Sequence, residues 1–465
     1  FDLLSTIKKV IKMNVEPMPE TTSPVVTPER PSPVYAWYMT LLLMLLYMFS
    51  FLDRTVIVLL IEPIKRDLLL NDTQISLLYG LAFAVFYTFL GIPIARLADS
   101  KSRRSIIAVG VLFWSAMTVA CGLAKNFGHL FAARIGVGAG EAALSPAAYS
   151  LISDSFPEEK RAKAMSVYTM GIYLGVGVAM LLGGQVIEFF DNVGTVTLPW
   201  VGELRGWQLT FIAVGSPGLL FFFLVMALRE PARQGLVSGA PKTIPMGEAM
   251  HWFRQRKGFY LSFYLAMAFG ALYSYSLTAW TPSFFIRTYG WDTLQVSKYY
   301  GTVVLIFAPA GIISGGLIAS ARASRGDGLA HVRITVIAFA ALLIPAATVT
   351  LVDNPWVSLG LVAVIKFIHG LPLGIAMAVV HDITPNRLRA QAAALYLFAL
   401  NILGLGVGPT LVAVLTDYVF RDPADLRYSM AIVGIFACTI GLLLSIYAMR
   451  QLRTLKQKPT ELTSP

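Results

Sequence analysis

Twelve apolar runs of about 20 residues recur along this 465-residue chain, and they constrain its fold more than any other feature. Only helices and closed barrels satisfy their backbone hydrogen bonds in lipid, and about 20 residues of helix cross a bilayer. With 56% hydrophobic and 14% charged residues, the chain lies outside the range of soluble globular proteins. We therefore predict an all-α membrane protein with twelve transmembrane helices, called spans 1 to 12: 37–60, 74–97, 105–123, 129–152, 164–187, 207–228, 258–282, 299–319, 334–352, 356–380, 391–416 and 429–449.

The distribution of basic residues predicts the orientation of the spans, because loops rich in Lys and Arg stay in the cytoplasm. With both termini inside, the cytoplasmic segments carry 25 of these residues and the outer segments carry 8. We expect a multi-pass protein of the cell membrane with both termini cytoplasmic, and the short loops favour a bacterial inner membrane. The net charge of +11 does not indicate nucleic-acid binding, since the basic residues are scattered among loops and not clustered beside aromatic platforms.

Composition divides the chain into five regions. Residues 1–36 form a Pro- and Thr-rich cytoplasmic tail that is too poor in apolar residues to pack, so disorder is expected there. Because the chain begins at Phe1, Met13 is the expected natural start and residues 1–12 an expression remnant. Segment 229–257 is predicted to be a cytoplasmic linker with a short surface helix. The remaining regions are a first six-helix half, a second half and a cytoplasmic tail: 37–228, 258–449 and 450–465.

An internal repeat relates the two halves. FPEEKRAKAMSVY at 156–168 and TPNRLRAQAAALY at 384–396 both fit PxxxRAxAxxxY, with an offset of 228 residues. Each copy lies at the cytoplasmic start of the fifth span of its half. Parallel six-helix repeats are typical of transporters whose substrate site lies between the halves near the membrane midplane. We therefore predict alternating access between the two halves.

Two further motifs carry a resemblance to a known family. GIPIARLADSKSRR at 91–104 follows span 2, and RIGVGAG at 134–140 lies in span 4. With these motifs the chain resembles the major facilitator superfamily. Its GxLaDRxGRR loop signature is matched at four positions: Leu97, Asp99, Arg103 and Arg104. Ala95 and Ser102 stand where glycines are usual, which weakens the close backbone approach at the loop but not its charge.

The resemblance implies that this loop is a gate. Asp99 is expected to act as a latch when the transporter is closed to the cytoplasm, meeting a helix amino end or an arginine of the opposite half. Arg103 and Arg104 lie beside it. The equivalent loop of the second half, 315–325, has Ala319 in place of the acid, so a charge latch would be one-sided.

Finer matches resemble the spinster family. They are FLDR in span 1, LFWS at 112–115 and the segment 134–164. This resemblance implies an amphiphilic, lipid-like substrate of the lysophospholipid or sphingoid phosphate class. The organic-anion branch of the superfamily shares the DR pair and the Gly-Glu run, so a small organic anion is the alternative substrate.

Charged residues in the middle of apolar runs need a specific role, because a charge at the membrane centre is costly. Asp53 in span 1 and Arg134 in span 4 lie at similar depth, so we expect them to pair across the bundle. Glu141 lies two turns deeper on the face of Arg134. Asp53, Arg134 and Glu141 are therefore predicted to couple transport to protons, the alternative being a static salt bridge. Arg54 is expected to snorkel outward or to meet a carbonyl.

Span 10 carries two further polar residues, Lys366 and His369. The 228-residue offset places His369 where Glu141 stands in the first half, so we expect both to face one cavity. The alternatives are a His369 satisfied by a backbone carbonyl and a Lys366 packed against the bundle. Four residues are thus expected to contact the substrate: Arg134, Glu141, Lys366 and His369.

The patterns of other protein classes are absent from the sequence. An intramembrane enzyme would show HExxH, GxSxG or clustered metal ligands, and an ATP-driven pump would show GxxxxGK[ST]. We predict no enzyme activity, no cofactor and no metal. The expected protein is a monomeric secondary active transporter driven by a proton gradient, with its substrate, protons and membrane lipid as partners. A channel or receptor is the remaining alternative.

Overall fold

The computed structural model describes residues 30–233, 246–385 and 388–457, which are mostly helical. Large parts of the predicted tails and part of the predicted linker lie outside these ranges. The first half comprises spans 1 (Pro33–Leu59), 2 (Asp72–Ser76, Leu77–Leu81 and Ala82–Ser100), 3 (Arg103–Gly122), 4 (Phe127–Glu141 and Leu144–Ser155), 5 (Glu158–Val193) and 6 (Gly206–Gly215 and Gly218–Met226). The second half comprises spans 7 (Lys257–Tyr289), 8 (Thr293–Ala323), 9 (Ala330–Thr348), 10 (Pro355–Leu373 and Ala376–Ile383), 11 (Arg389–Ala399, Leu400–Val407, Gly408–Val414 and Leu415–Phe420) and 12 (Leu426–Gln457).

Within the described ranges, twelve helical spans confirm the predicted fold class of two six-helix halves. Ten of them are long and apolar enough, by length and composition, to cross a membrane. The other two are span 4, which is broken between Glu141 and Leu144, and span 7, whose tyrosines and serines lower its mean hydropathy. Short elements occupy the connections: helices Ile61–Leu68, Met246–Gln255 and Pro423–Asp425, and an antiparallel hairpin of Val196–Leu198 with Gly202–Leu204.

Polar side chains set where several spans begin. Asn126 Oδ1 accepts a hydrogen bond from the His129 backbone N–H at 2.9 Å, at the start of span 4. At the start of span 8, Asp292 Oδ1 accepts from the Gln295 backbone N–H at 2.7 Å, and Gln295 Oε1 accepts from the Asp292 backbone N–H. Such caps satisfy backbone N–H groups that the first helical turn leaves unpaired. The helices can therefore extend beyond the apolar runs from which the spans were predicted.

The two halves meet at one face of the bundle. We call the face that carries the ends of the described chain the terminal face, and the opposite face the distal face. Among the described residues, every hydrogen bond and ion pair between the halves joins distal parts of the spans. For example, the Ser297 hydroxyl donates to the Met180 carbonyl and accepts from the Gly184 N–H at 3.1 Å. Within the described ranges, the polar contacts between the halves are therefore concentrated at the distal face.

Two π-helical segments lie where spans 2 and 11 meet, Leu77–Leu81 and Leu400–Val407. A Cβ atom at Gly80 would overlap the carbonyl oxygen of Leu405, so the close approach of the two backbones requires glycine. Segments of this kind are rare in helices and are frequent at functional sites. Here the first segment borders the buried Arg134, whose Nε donates to the Leu78 carbonyl.

Candidate functional site

An ion pair lies buried between spans 1 and 4. Arg54 Nη2 donates to Glu141 Oε2 at 2.5 Å, and these residues are 6% and 2% exposed. The Arg54 guanidinium also packs against three rings, with its Cζ atom 4.5 Å from the centroid of Phe51, 4.1 Å from Phe83 and 5.1 Å from Tyr87. A guanidinium suits this setting because it stacks on rings while its edge meets a carboxylate. The contacts therefore join spans 1, 2 and 4.

The prediction that Arg54 snorkels outward or meets a carbonyl is wrong. Side chains on a helix lean toward its amino end, which in span 1 directs Arg54 toward the terminal face and the depth of Glu141. The aromatic rings around the guanidinium then hold it in place. A comparison of residue depths along the helices missed this pair, because it ignored how far a long side chain reaches.

Asp53 is fully buried beside this ion pair. The Thr118 hydroxyl donates to Asp53 Oδ2 at 3.4 Å, and Oδ1 has no hydrogen-bond partner within the described ranges. The predicted ion pair with Arg134 is not formed in this conformation, because Arg134 Nη1 donates to the Asp53 backbone carbonyl at 3.5 Å and its Nε to the Leu78 carbonyl at 3.3 Å. The structure still brings the predicted residues into one buried region. We call this region the charge cluster: Asp53, Arg54, Arg134 and Glu141.

In the second half, span 10 places Lys366 and His369 against span 7. His369 Nε2 lies 3.0 Å from the Gly270 carbonyl oxygen, which is the arrangement of a backbone-satisfied histidine. Lys366 Nζ donates to Thr278 Oγ1 at 2.8 Å and lies 5.9 Å from the ring centroid of Tyr300. Among the described residues, neither span 10 side chain is hydrogen-bonded to the charge cluster.

At the terminal face, Arg103 fixes the loop after span 2 to the rest of the first half. Its Nε donates to Glu230 Oε1 at 3.0 Å, and its Nη1 pairs with Asp154. The Ser102 hydroxyl donates to the other oxygen of Glu230 at 2.5 Å. Although burial acts to raise the pKa of the Glu230 carboxyl, the hydrogen bonds from Ser102 and Arg103 hold that pKa below its ordinary value. These contacts brace the first half at its terminal face.

The predicted gating loop is thus described in part. Arg103 and Arg104 both bond to groups of the first half. Arg104 Nη1 donates to the Leu228 carbonyl, just after span 6, at 2.8 Å. The side chain of Asp99 lies outside the described residues, so its latch role stays a prediction.

A second set of charges closes the distal face, and we call it the distal latch: Glu62, Lys65, Asp72, Arg287 and Asp417. Arg287, near the end of span 7, donates to Asp72 Oδ2 at 2.7 Å and to Glu62 Oε1 at 2.8 Å. Lys65 also pairs with Asp72, whose side chain is fully buried. Because Arg287 belongs to the second half and the two acids to the first, these ion pairs hold the halves together.

Asp417 adds a contact in the reverse direction. Its Oδ2 accepts from the Thr73 backbone N–H at 2.6 Å and from the Thr73 hydroxyl at 2.7 Å. Its Oδ1 accepts from the Asp72 backbone N–H at 3.3 Å. A carboxylate of the second half therefore caps the amino end of span 2 in the first half, where the helix dipole favours negative charge. The distal latch was not among the sequence predictions, although acids and bases in the short distal segments 61–72 and 283–298 were an available signal.

Comparisons with known proteins agree with this architecture. A model of the Major Facilitator Superfamily matches residues 43–409. An MFS-type efflux pump of Mycolicibacterium smegmatis is 28% identical over 395 residues, which cover 85% of this chain and 87% of the pump. The hexuronate transporter of Escherichia coli is 25% identical over 399 residues, covering 79% and 86%. A crystal structure of a bacterial homologue of the human lysosomal transporter Spinster, inward-facing and unoccupied, is 26% identical with a TM-score of 0.77, covering 94% of this chain and 100% of that chain.

Proposed function

Because the chain belongs to the Major Facilitator Superfamily and is a spinster-like membrane transporter, we propose that it carries an amphiphilic, lipid-like substrate by proton-coupled alternating access. The observation that supports this most is the charge cluster, in which a buried Asp53 without a cationic partner lies beside the Arg54–Glu141 ion pair. Ionisable groups inside a membrane are costly, and they mark proton and substrate pathways.

We place the terminal face in the cytoplasm, with both termini inside a bacterial inner membrane. The excess of 25 basic residues over 8 supports this orientation, as does the likeness to an inward-facing structure. The distal latch then closes the outer side, and the state described is inward-open. Closure of the cytoplasmic side would require the distal latch to break and the proposed Asp99 latch to form.

Proton coupling follows from the cost of burying a carboxylate without a partner. In the inward-open state the Asp53 carboxyl lies close to the Trp114 indole N–H, receives a long bond from Thr118 and has no ion-pair partner among the described residues. We therefore propose that Asp53 holds a proton. When that proton leaves, the new anion attracts Arg134, whose Nη1 already lies 3.5 Å from the Asp53 carbonyl oxygen. Protonation of Glu141, in turn, releases Arg54. Each protonation event thus changes which charges hold spans 1 and 4 together.

The substrate is proposed to lie between the halves, with an anionic or zwitterionic headgroup near the buried polar residues and its tail along apolar side chains. The predicted contact residues come from both halves: Arg134, Glu141, Lys366 and His369. Aromatic rings lie toward the terminal face, where Tyr47 and Tyr168 stack with centroids 4.7 Å apart and Tyr149 packs on Tyr168 edge-on. Of these rings Tyr149 is exposed, and its apolar face with a polar hydroxyl at the edge suits an amphiphile.

A small organic anion is the second candidate substrate. The likeness to the hexuronate transporter, at 25% identity, favours it. A sugar acid is an anion like a lysophospholipid, with a carboxylate in place of the phosphate, but it lacks the acyl tail. Chain-length dependence therefore separates the two substrates.

Lysophosphatidic acids with stepwise longer acyl chains are expected to bind the purified protein more tightly at each step. Each CH₂ group buried along the apolar side chains adds about 0.8 kcal/mol, or roughly fourfold in Kd. Uptake into proteoliposomes is expected to saturate and to exchange with preloaded substrate, as alternating access requires. Titration of the binding signal and radiolabelled uptake measure the two effects.

Galacturonate and protein-free liposomes are the controls for this experiment. A Kd that does not change with chain length, together with saturable uptake of galacturonate, would favour the small organic anion. Flux that neither saturates nor exchanges would indicate a channel instead of a carrier.

A further inference from the structure

Lys366 lies near the middle of span 10 without an acidic partner. The residue is 6% exposed, and its Nζ makes a hydrogen bond to the neutral Thr278 hydroxyl at 2.8 Å. In the part of the chain that the structure describes, no carboxylate lies within ion-pair distance of Nζ. An ammonium group has three donors, and its burial is costly unless acceptors and a counter-charge offset the lost hydration.

The two halves differ in how their central charges balance. The charge cluster of the first half contains two acids and two arginines, so its charges can cancel. In the second half, His369 is satisfied by a backbone carbonyl, and Lys366 contributes a positive charge. At 1.5 Å per residue, Lys366 lies about 16 Å along the helix from Pro355, close to the membrane midplane. The centre of the bundle therefore carries a positive charge that no described side chain neutralises, whether or not Asp53 is protonated.

We infer that Lys366 binds the anionic group of the transported substrate, with the hydroxyl of Tyr300 as a further donor. The Tyr300 hydroxyl is buried beside the hydroxyls of Thr278 and Thr281 without a well-formed hydrogen bond to either, and its ring lies 5.9 Å from Nζ. Arg134 is a poorer anchor in this state, because its guanidinium is fully buried and already donates to two carbonyls. The inference rests on the proposed function, and it places the negative charge of the substrate in the second half.

The chemistry of the site fits a phosphate or a carboxylate. Oxygen atoms of either group accept hydrogen bonds from an ammonium and from hydroxyls, and bonds to charged groups are the stronger ones. The four-carbon stem of a lysine is flexible, so Nζ can leave Thr278 and turn toward the space between the halves. After release of the substrate, the bond to Thr278 forms again.

Two probes with the same acyl chain test the inference: oleoyl lysophosphatidic acid, which is an anion, and monoolein, which is neutral. The purified wild-type protein is expected to bind the anion more tightly, by roughly 10- to 150-fold, the range of a hydrogen bond to a charged group. Lys366→Gln is expected to remove this preference and Lys366→Arg to retain it. Lys298→Gln, at an exposed lysine of span 8, is the matched control and should bind both probes as wild type does.

Size-exclusion chromatography and thermal unfolding show whether each variant is folded. If Lys366→Gln does not fold, Tyr300→Phe decides the question, since it removes one donor and is expected to weaken binding of the anion several-fold without affecting monoolein. A folded Lys366→Gln protein, or a Tyr300→Phe protein in its place, that keeps the full preference overturns the inference and leaves the proposed function intact. Wild type that binds galacturonate but neither amphiphile, with loss of binding in Lys366→Gln, supports the anion site and contradicts a lipid-like substrate. Binding of none of the three probes overturns both.

Discussion

Replacing Arg54 with alanine is expected to abolish gradient-driven transport and to lower the free energy of unfolding by about 3 to 5 kcal/mol. The substitution leaves the carboxylate of Glu141 buried without the guanidinium that now meets it at 2.5 Å. It also removes the cation that packs between Phe51 and Phe83, so spans 1, 2 and 4 lose a shared contact. Unfolding of the purified protein in detergent and substrate uptake by proteoliposomes measure the two effects.

A double-mutant cycle provides the control for this prediction. Glu141→Gln removes the charge while keeping the shape of the side chain, so Arg54→Ala combined with Glu141→Gln no longer buries an unpaired carboxylate. The double variant is therefore expected to be more stable than Arg54→Ala alone. Strictly additive losses of stability would mean that the two side chains do not interact, and the ion pair would then have no part in either effect.

Arg287→Ala is expected to open the distal face. The change removes both ion pairs between the halves and leaves Asp72 with Lys65 as its cationic partner. Loss of one to three kcal/mol of coupling, about five- to 150-fold in population, is expected to shift the protein from inward-open toward outward-open states. A cysteine at Tyr149 reports the shift, because this side chain is 37% exposed on the terminal side of span 4 and becomes covered when the terminal face closes. An impermeant maleimide added to inside-out membrane vesicles should label Tyr149→Cys more slowly when Arg287 is absent.

Arg205→Ala is the matched control for the distal latch. Arg205 also lies at the distal face, but it pairs with Asp67 inside the first half and its side chain is 59% exposed. The Arg205→Ala variant should leave the labelling of Tyr149→Cys unchanged. The native residues Cys121 and Cys438 are buried and contribute little background. Equal labelling in the Arg205→Ala and Arg287→Ala proteins would refute the latch. Rapid labelling of intact cells with Arg287 present would show instead that the proposed orientation is reversed.

The fold was predictable because the bilayer requires every span to be helical and to have a minimum apolar length. Helices through lipid must be apolar over about 20 residues, so composition alone located all twelve. Span 7 shows the limit of that signal, because its tyrosines and serines pack inside the bundle, as Tyr273 and Ser276 do. The hairpin Val196–Leu198 with Gly202–Leu204 was missed for a different reason. Three-residue strands in a loop of the distal face have no hydropathy pattern.

The candidate site was predictable in its members and less so in its pairs. The high cost of placing a charged side chain inside a membrane identified Asp53, Arg134 and Glu141 individually. Which side chains meet depends on rotamers and side-chain reach, so Arg54, and not Arg134, is the partner of Glu141. The cost of burial does not single out the distal latch, since Arg287 and Asp417 stand near the ends of spans where charges are common. Its ion pairs between the halves join residues more than 200 positions apart in sequence.

The claim that the charge cluster couples protons to transport is tested most directly by measuring two transport modes in the same variants. Exchange of labelled for unlabelled substrate requires only that the substrate-loaded carrier can switch between its two access states. Accumulation under a pH gradient also requires that a proton is carried with the substrate. In proteoliposomes, Asp53→Asn and Glu141→Gln are predicted to keep exchange of lysophosphatidic acid and to lose accumulation, while Arg134→Ala loses both. Wild-type accumulation with an unchanged pH response in both acid variants would contradict the account, and the charge cluster would then be a structural brace between spans 1 and 4.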